Sequence, residues 1–382
     1  MKSLNLLVIA FLAITSCFAV DKNNFKSCDQ SGFCKRLRPF KPEISQYVAN
    51  LTTTSIFGNM LFLDVNTVDR ESEKKTVLFR YVLKISSLVD NTFRVEMEES
   101  NPLYPRYVTQ LALEDTPIGD EGLKKISSKD GKLVVANHNG LQVVITADPL
   151  KIEFLDKNGE VAVVLNENSQ LLVEPLVAKH AKLNENGEEI PVEDGTWGEN
   201  FKSHHDSKPR GNEAISLDIG FPDADNVYGI PEHTDKLALT TTTSGEPYRL
   251  FNLDVFEYEL DSRMSIYGSV PVLYAHGTKR TVGVFWHNSA ETWVDVVNIA
   301  DGTVVSSLVN LVTGGNKRRV DTRFMSEAGM VDVFVMMGDT PSDVFRQYTT
   351  LTGVAPLPPI HIILIYRGGH IIRNSPHVGW IV

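Results

Sequence analysis

Four carboxylates stand close together in the chain, at Asp254, Glu257, Glu259 and Asp261. Retaining hydrolysis of a glycoside needs two carboxyl groups about 5 Å apart, so this cluster is where such chemistry would first be sought. Glu257 and Glu259 share a face if the chain there is extended. Nothing in the spacing raises the acidity of one above the other, and a solvated strand face explains the pattern as well as a site does. No self-standing catalytic motif appears elsewhere: there is no Gly-x-Ser-x-Gly elbow, no phosphate-binding loop and no His-Glu-x-x-His. His204, His205 and Asp206 are ligand types for a metal, but neighbouring strand residues point to opposite faces and make poor joint ligands. The polar, Gly-rich stretch around them, residues 184–212, reads as a surface loop. The residues alone therefore predict no catalytic residue, no metal site and no cofactor.

The elements that must carry any site are strands. Residues 77–85 are rich in β-formers, and residues 92–98 alternate apolar with charged side chains as a half-buried strand does. Residues 132–136 and 141–146 form a hairpin pattern around Asn137-His138-Asn139-Gly140. Residues 151–155 and 161–165 repeat it around Asp156-Lys157-Asn158-Gly159. Strand following strand at short spacing predicts an all-β, antiparallel β-sandwich rather than a doubly wound sheet. One helix is predicted near the end. Thr340 caps it, Pro341 takes the first position, Asp343 lies in the first turn and Gly353 ends it, with Val344, Phe345, Tyr348 and Leu351 sharing a face.

The 382 residues are 42% hydrophobic and 22% charged, ordinary for a globular protein. Lysines and arginines total 37 against 48 acidic residues, a net charge of −11, which disfavours nucleic-acid partners. Residues 1–19 have the form of a signal peptide: Lys2, an apolar run over residues 4–14, and Cys17-Phe18-Ala19 before a cleavage point. That run is short for a membrane span, so none is expected after cleavage. Cleavage removes Cys17 and leaves Cys28 and Cys34. In an oxidising compartment such a pair most simply forms a local disulfide, adding about 2 kcal/mol; two free thiols are the alternative. No nearby His or Cys completes a metal site. Asn50-Leu51-Thr52 is a glycosylation sequon, with Asn50 as the acceptor.

A longer pattern runs through residues 227–296. It comprises Val227-Tyr228-Gly229-Ile230-Pro231-Glu232-His233, Pro247-Tyr248-Arg249-Leu250-Phe251-Asn252-Leu253-Asp254, Tyr267-Gly268-Ser269-Val270-Pro271 and Phe285-Trp286-His287-Asn288-Ser289-Ala290-Glu291-Thr292-Trp293. This resembles the N-terminal, galactose-mutarotase-like sandwich of glycoside hydrolase family 31, in its endoplasmic-reticulum α-glucosidase branch. The resemblance begins at Cys28 and runs with gaps to Pro359. It implies an enzyme that trims α-linked glucose from N-glycans in the lumen of the endoplasmic reticulum, beside a beta subunit that supplies retention. In that family the catalytic aspartates lie in a following (β/α)8 barrel, in a Trp-x-Asp-Met-Asn-Glu-like motif and a later loop; no such motif occurs here.

One sandwich loop of the family carries an Asp that touches sugar, and Asp254 matches it. Tyr248, Arg249 and Phe251 would then shape that loop or stack on sugar. Trp286 and Trp293 suit a buried core better than a sugar platform. The expected organisation is a sandwich over 20–355 and a tail over 356–382 whose apolar run, residues 360–366, could be a first barrel strand. A barrel needs about 250 residues. The chain alone is therefore expected to be inactive. A non-catalytic sandwich that binds carbohydrate or a partner is the alternative.

Overall fold

The computed structural model describes residues 20–71, 76–109, 111–114, 119, 122–179, 195–255, 257–299 and 318–359. The signal-peptide reading of 1–19 and the strand reading of 360–366 lie outside them.

Among the described residues every strand pairing is antiparallel, and two large sheets hold all the strands but those of one short separate hairpin. The first sheet runs β1 (Tyr47–Phe57), β2 (Met60–Val68), β3 (Val77–Leu88), β4 (Thr92–Glu99), β20 (Val331–Gly338), β17 (Thr281–Trp286), β16 (Val272–His276), β14 (Asn226–Gly229). The second runs β15 (Tyr248–Leu250), β18 (Thr292–Asn298), β19 (Arg319–Ser326), β13 (Ile215–Pro222), β9 (Val161–Leu165), β8 (Lys151–Leu155), β7 (Gln142–Thr146), β6 (Lys132–Ala136), β5 (Lys124–Lys129). The short β10 (Leu172–Val173) also pairs with β13.

Alternation explains the packing. Along β2, Leu61, Leu63 and Val65 are buried while Phe62 and Asp64 are only half-buried; β7 does the same with Val143 and Ile145. Side chains of the two inner faces form one core, in which the Phe93 ring of β4 lies 5.3 Å from the Phe154 ring of β8. The sheet centres break the alternation. All of β17 and β20 is buried, because a helix covers the outer face of the first sheet. This is α2 (Pro341–Thr352), whose Val344 and Leu351 pack on Phe285, Phe334 and Met336. The close approach needs Gly283: a Cβ there would stand 2.3 Å from Val344 Cγ1.

α2 begins as expected. The Thr340 hydroxyl oxygen accepts from the Asp343 N–H, and the Asp343 carboxylate accepts from the Thr340 N–H. Its face differs from expectation at one residue: Phe345 is 59% exposed, and Gln347 is buried in its place. At 100° per residue, Val344, Gln347 and Leu351 form the stripe and Phe345 turns away from it.

The outer face of the second sheet is covered by a short helix that periodicity did not reveal, α1 (Gly32–Leu37). A Cys28–Cys34 disulfide closes it, and Phe33, Leu37, Trp293 and Met325 pack with it in a small separate cluster. The loop reading of 184–212 is corrected in part. Gly198–Phe201 and His204–Ser207 pair as a hairpin, β11 and β12. Local sequence is too polar to signal it; a buried anchor holds it. Glu199 accepts from the Gly32 N–H at 2.7 Å and pairs with Lys208 at 3.1 Å, tying the hairpin to α1.

Candidate functional site

The Asp254 segment begins where β15 ends. β15 pairs with β18, placing Arg249 opposite Trp293. The Arg249 guanidinium lies between two rings, 4.6 Å from the centroid of Phe251 and 5.2 Å from that of Trp293. Its Nε donates to Glu291 Oε1 at 2.9 Å, and Trp293 Nε1 donates to the same oxygen at 3.0 Å. Arg249 thus works as a clamp at the root of the loop, being only 8% exposed.

Tyr248 also does something other than face a sugar. It is fully buried, and its hydroxyl donates to Asp235 at 2.6 Å while accepting from the Thr240 N–H at 2.7 Å. Burial, with the carboxylate beside it, raises its pKa. Of the three residues expected to shape the loop or stack on sugar, only Phe251 is open to solvent. Burial leaves Tyr248 and Arg249 the first of those two roles, shaping the loop.

Past Phe251 the chain is irregular and pinned on both sides. The Leu253 N–H donates to the Ile266 carbonyl at 2.9 Å, and the Tyr267 hydroxyl donates to the Val255 carbonyl at 3.0 Å. Between these ties Asp254 is exposed, and its carboxylate has no hydrogen bond or ion pair among the described residues. The alternative role of capping its own loop is therefore not what the structure shows among those residues. The rest of the acidic cluster does not form a strand face, because residues 251–264 form no strand among those described. Glu259 is engaged by Lys22, while Glu257 and Asp261 face solvent.

Beside this loop lies an open groove of about 690 Å3, walled by Leu111, Phe251, Val270, Phe285 and Tyr348. His287 and Ser269 also line it, and His287 Nε2 and Ser269 Oγ are buried with no partner among the described residues. The other His287 nitrogen, Nδ1, donates to Asp332 at 2.7 Å. Asp332 also accepts from Arg94 Nε at 2.8 Å and Nη2 at 2.6 Å. Burial pushes the Asp332 pKa up, but the Arg94 and His287 bonds outweigh it and hold the carboxyl below its ordinary range. The Asp332 carboxylate thus holds the His287 ring through Nδ1, and Nε2 is left toward the groove with no partner among the described residues.

The remaining candidates fall elsewhere. Trp286 and Trp293 are core residues, 0% and 3% exposed. His204, His205 and Asp206 are exposed on β12, and no three potential ligands gather into a metal site among the described residues. Asn50 sits at a β1 irregularity, where its Oδ1 accepts from the Thr52 hydroxyl at 2.7 Å. Sequence reading missed the Arg249–Glu291–Trp293 clamp and the Arg94–Asp332–His287 chain. The partners in these are up to 238 positions apart, and no local pattern announces them.

Residues 82–295 match the glycosyl hydrolase 31 N-terminal galactose mutarotase-like domain. The chain belongs to this family. The family match contains the whole Asp254 loop and its clamp. Human neutral alpha-glucosidase AB is 39% identical over 385 residues, covering 93% of this chain and 40% of its own length. The glucosidase 2 alpha subunit of Schizosaccharomyces pombe is 33% identical, with 93% and 39% covered. The chain thus spans about two-fifths of the length of the curated relatives it matches. A crystal structure of a glucosidase II alpha subunit bound to alpha3-Glc2 superposes with a TM-score of 0.76 at 32% identity, over 87% of this chain and 38% of that one. Another, of an ER glucosidase II heterodimer of the catalytic subunit with the binding domain of the regulatory subunit, gives 0.75 at 31%, over 87% and 38%.

Proposed function

We propose that this chain is the N-terminal sandwich portion, over residues 20–355, of an α-glucosidase that trims α-linked glucose from N-glycans, and that Asp254 is its sugar contact. The observation that carries this reading is the exposed carboxylate of Asp254, without a partner among the described residues, on a loop pinned at both sides within the family match. Hydrolysis needs two carboxyl groups at one sugar. The loop supplies a binding group only, and the catalytic pair comes from the part of the enzyme that this chain does not span. The groove beside the loop supports that division: its apolar walls and two unpartnered polar atoms suit a surface that the rest of the enzyme covers. Placement in the lumen of the endoplasmic reticulum, cleavage of residues 1–19, modification at Asn50 and pairing with a beta subunit belong to the same reading, the last supported by the heterodimer that one similar structure contains.

Two measurements test it. The purified chain, free of host glucosidase, is expected to show no turnover of an α-glucoside; measurable turnover would overturn the division of roles. In an enzyme extended through the catalytic part, Asp254→Asn is expected to lower kcat/KM by about 10- to 100-fold, the loss of a hydrogen bond to a charged group. An unchanged kcat/KM would remove Asp254 from the site. A purely sugar-binding sandwich is the second reading, favoured by the exposed Phe251 ring close to Asp254.

A further inference from the structure

At the far end of α2 from the groove, turns from both sheets meet around a cavity of about 260 Å3. The β3–β4 turn brings Asp90 and Asn91, the β6–β7 turn Asn139, the β8–β9 turn Asp156 and Asn158, and the β16–β17 turn Arg280. α2 supplies Gln347 as one wall, and Leu141, Val282 and Met337, all buried, line the cavity as an apolar patch.

Gln347 is the informative residue. It is only 2% exposed; its Nε2 donates to the Asp90 carbonyl, while its Oε1 is buried without a partner among the described residues. A buried amide oxygen left unpaired costs free energy unless something donates to it. The other amides are also half-used. Asn139 Nδ2 donates to Asn91 Oδ1 at 2.7 Å, which leaves Asn91 Nδ2 and Asn139 Oδ1 without a partner among the described residues.

We propose that this cavity binds one neutral pyranose, at a site separate from Asp254. Charge argues for a neutral ligand: four carboxylates line the cavity against four cationic side chains, and Arg280 is already paired with Asp156. Amides offer donors and acceptors together, as hydroxyl groups require. The apolar patch suits the C–H face of a sugar ring. The volume lies below that of drug-sized sites, which limits the ligand to a single ring.

The test titrates D-glucose, D-mannose and D-galactose into the whole chain, followed by saturation-transfer NMR and calorimetry. At least one sugar is expected to bind saturably, with a Kd on the order of millimolar. Gln347→Leu and Asn139→Ala are each expected to weaken it about tenfold, with Asp254→Ala leaving it unchanged. Asn139 is an exposed rim residue, so its variant decides the matter if the Gln347 variant does not fold. The proposal falls if none of the three sugars binds saturably. It falls equally if Asp254→Ala abolishes binding that Asn139→Ala leaves intact, a result that would assign the sugar to the proposed glucosidase loop instead.

Discussion

Replacing Arg94 by Met would remove both charged hydrogen bonds to Asp332 while keeping an aliphatic stem of similar length. Arg94 also lies 4.9 Å from the centroid of the Phe334 ring and pairs weakly with Glu96 at 3.5 Å. The dominant loss is at Asp332, whose side chain is 1% exposed and would be left with His287 alone. Breaking a buried pair by removing one partner costs about 3–5 kcal/mol, which in a domain of this size lowers Tm by on the order of 10 °C. The pH dependence gives a sharper test. In the parent chain the Asp332 pKa is depressed, so its contribution is present above the unfolded value of about 4 and is lost as pH falls through the folded one. In Arg94→Met, burial prevails and the folded pKa rises above the unfolded one. The penalty is then full at neutral pH and fades as acid protonates the carboxyl in both states. Urea melts at pH 7 and pH 3, followed by circular dichroism, should show the gap between parent and variant shrinking in acid. Adding Asp332→Asn should recover part of the loss, because a neutral amide replaces the unpaired charge. A deficit under about 1 kcal/mol at pH 7, or one that persists unchanged at pH 3, would refute the claim that a buried charge holds these strands together.

Further outcomes follow from other contacts. Replacing both Cys28 and Cys34 by Ser should cost about 2 kcal/mol in urea melts, since the bridge closes a short loop. Gly283→Ala should destabilise by about 1–3 kcal/mol, because the added methyl meets Val344 of α2; a neutral result would show that α2 shifts freely. Arg249→Met should speed amide exchange at Leu253 relative to the core strands, as the clamp at the loop root opens. Asp254→Ala should leave the unfolding free energy in urea melts within about 0.5 kcal/mol of the parent, having no partner to lose among the described residues.

The strands were legible where the physics is local. A half-buried strand alternates, and β4 falls on the residues whose alternation announced it; β3 falls on a run of β-formers, and β6 to β9 on the hairpin patterns bounded by turn residues. α2 was equally legible because Thr340, Pro341 and Gly353 mark its ends chemically. α1 and the β11–β12 hairpin were not. Each is too short to carry a period, and each is held by contacts with distant residues: α1 by Trp293 and Met325, the hairpin by Glu199 on the Gly32 N–H. Phe345 shows the limit of a face assigned by residue type. A phenylalanine was placed inside and a glutamine left out, whereas the helix angle puts Gln347 against the Asp90 carbonyl.

The site was legible in a different sense. No property of Asp254 as a residue distinguishes it from Glu257 three positions later; both are exposed carboxylates in irregular chain. Resemblance selected Asp254, and the structure supplies a physical difference around it: a ring-and-guanidinium stack at the loop root, then a backbone tie on each side. That arrangement is costly to build merely to display one solvated acid. Fixing a loop's backbone costs about 1–2 kcal/mol per residue in entropy. A carboxylate with no partner among the described residues, on a backbone tied at both sides, fits the proposed recognition role, because a ligand then meets a loop already ordered. The same reasoning applies to its neighbours: Tyr248 and Arg249 build the anchor and are buried by it, and of the three Phe251 alone is exposed, placed to share a ligand with Asp254 if the proposed role holds.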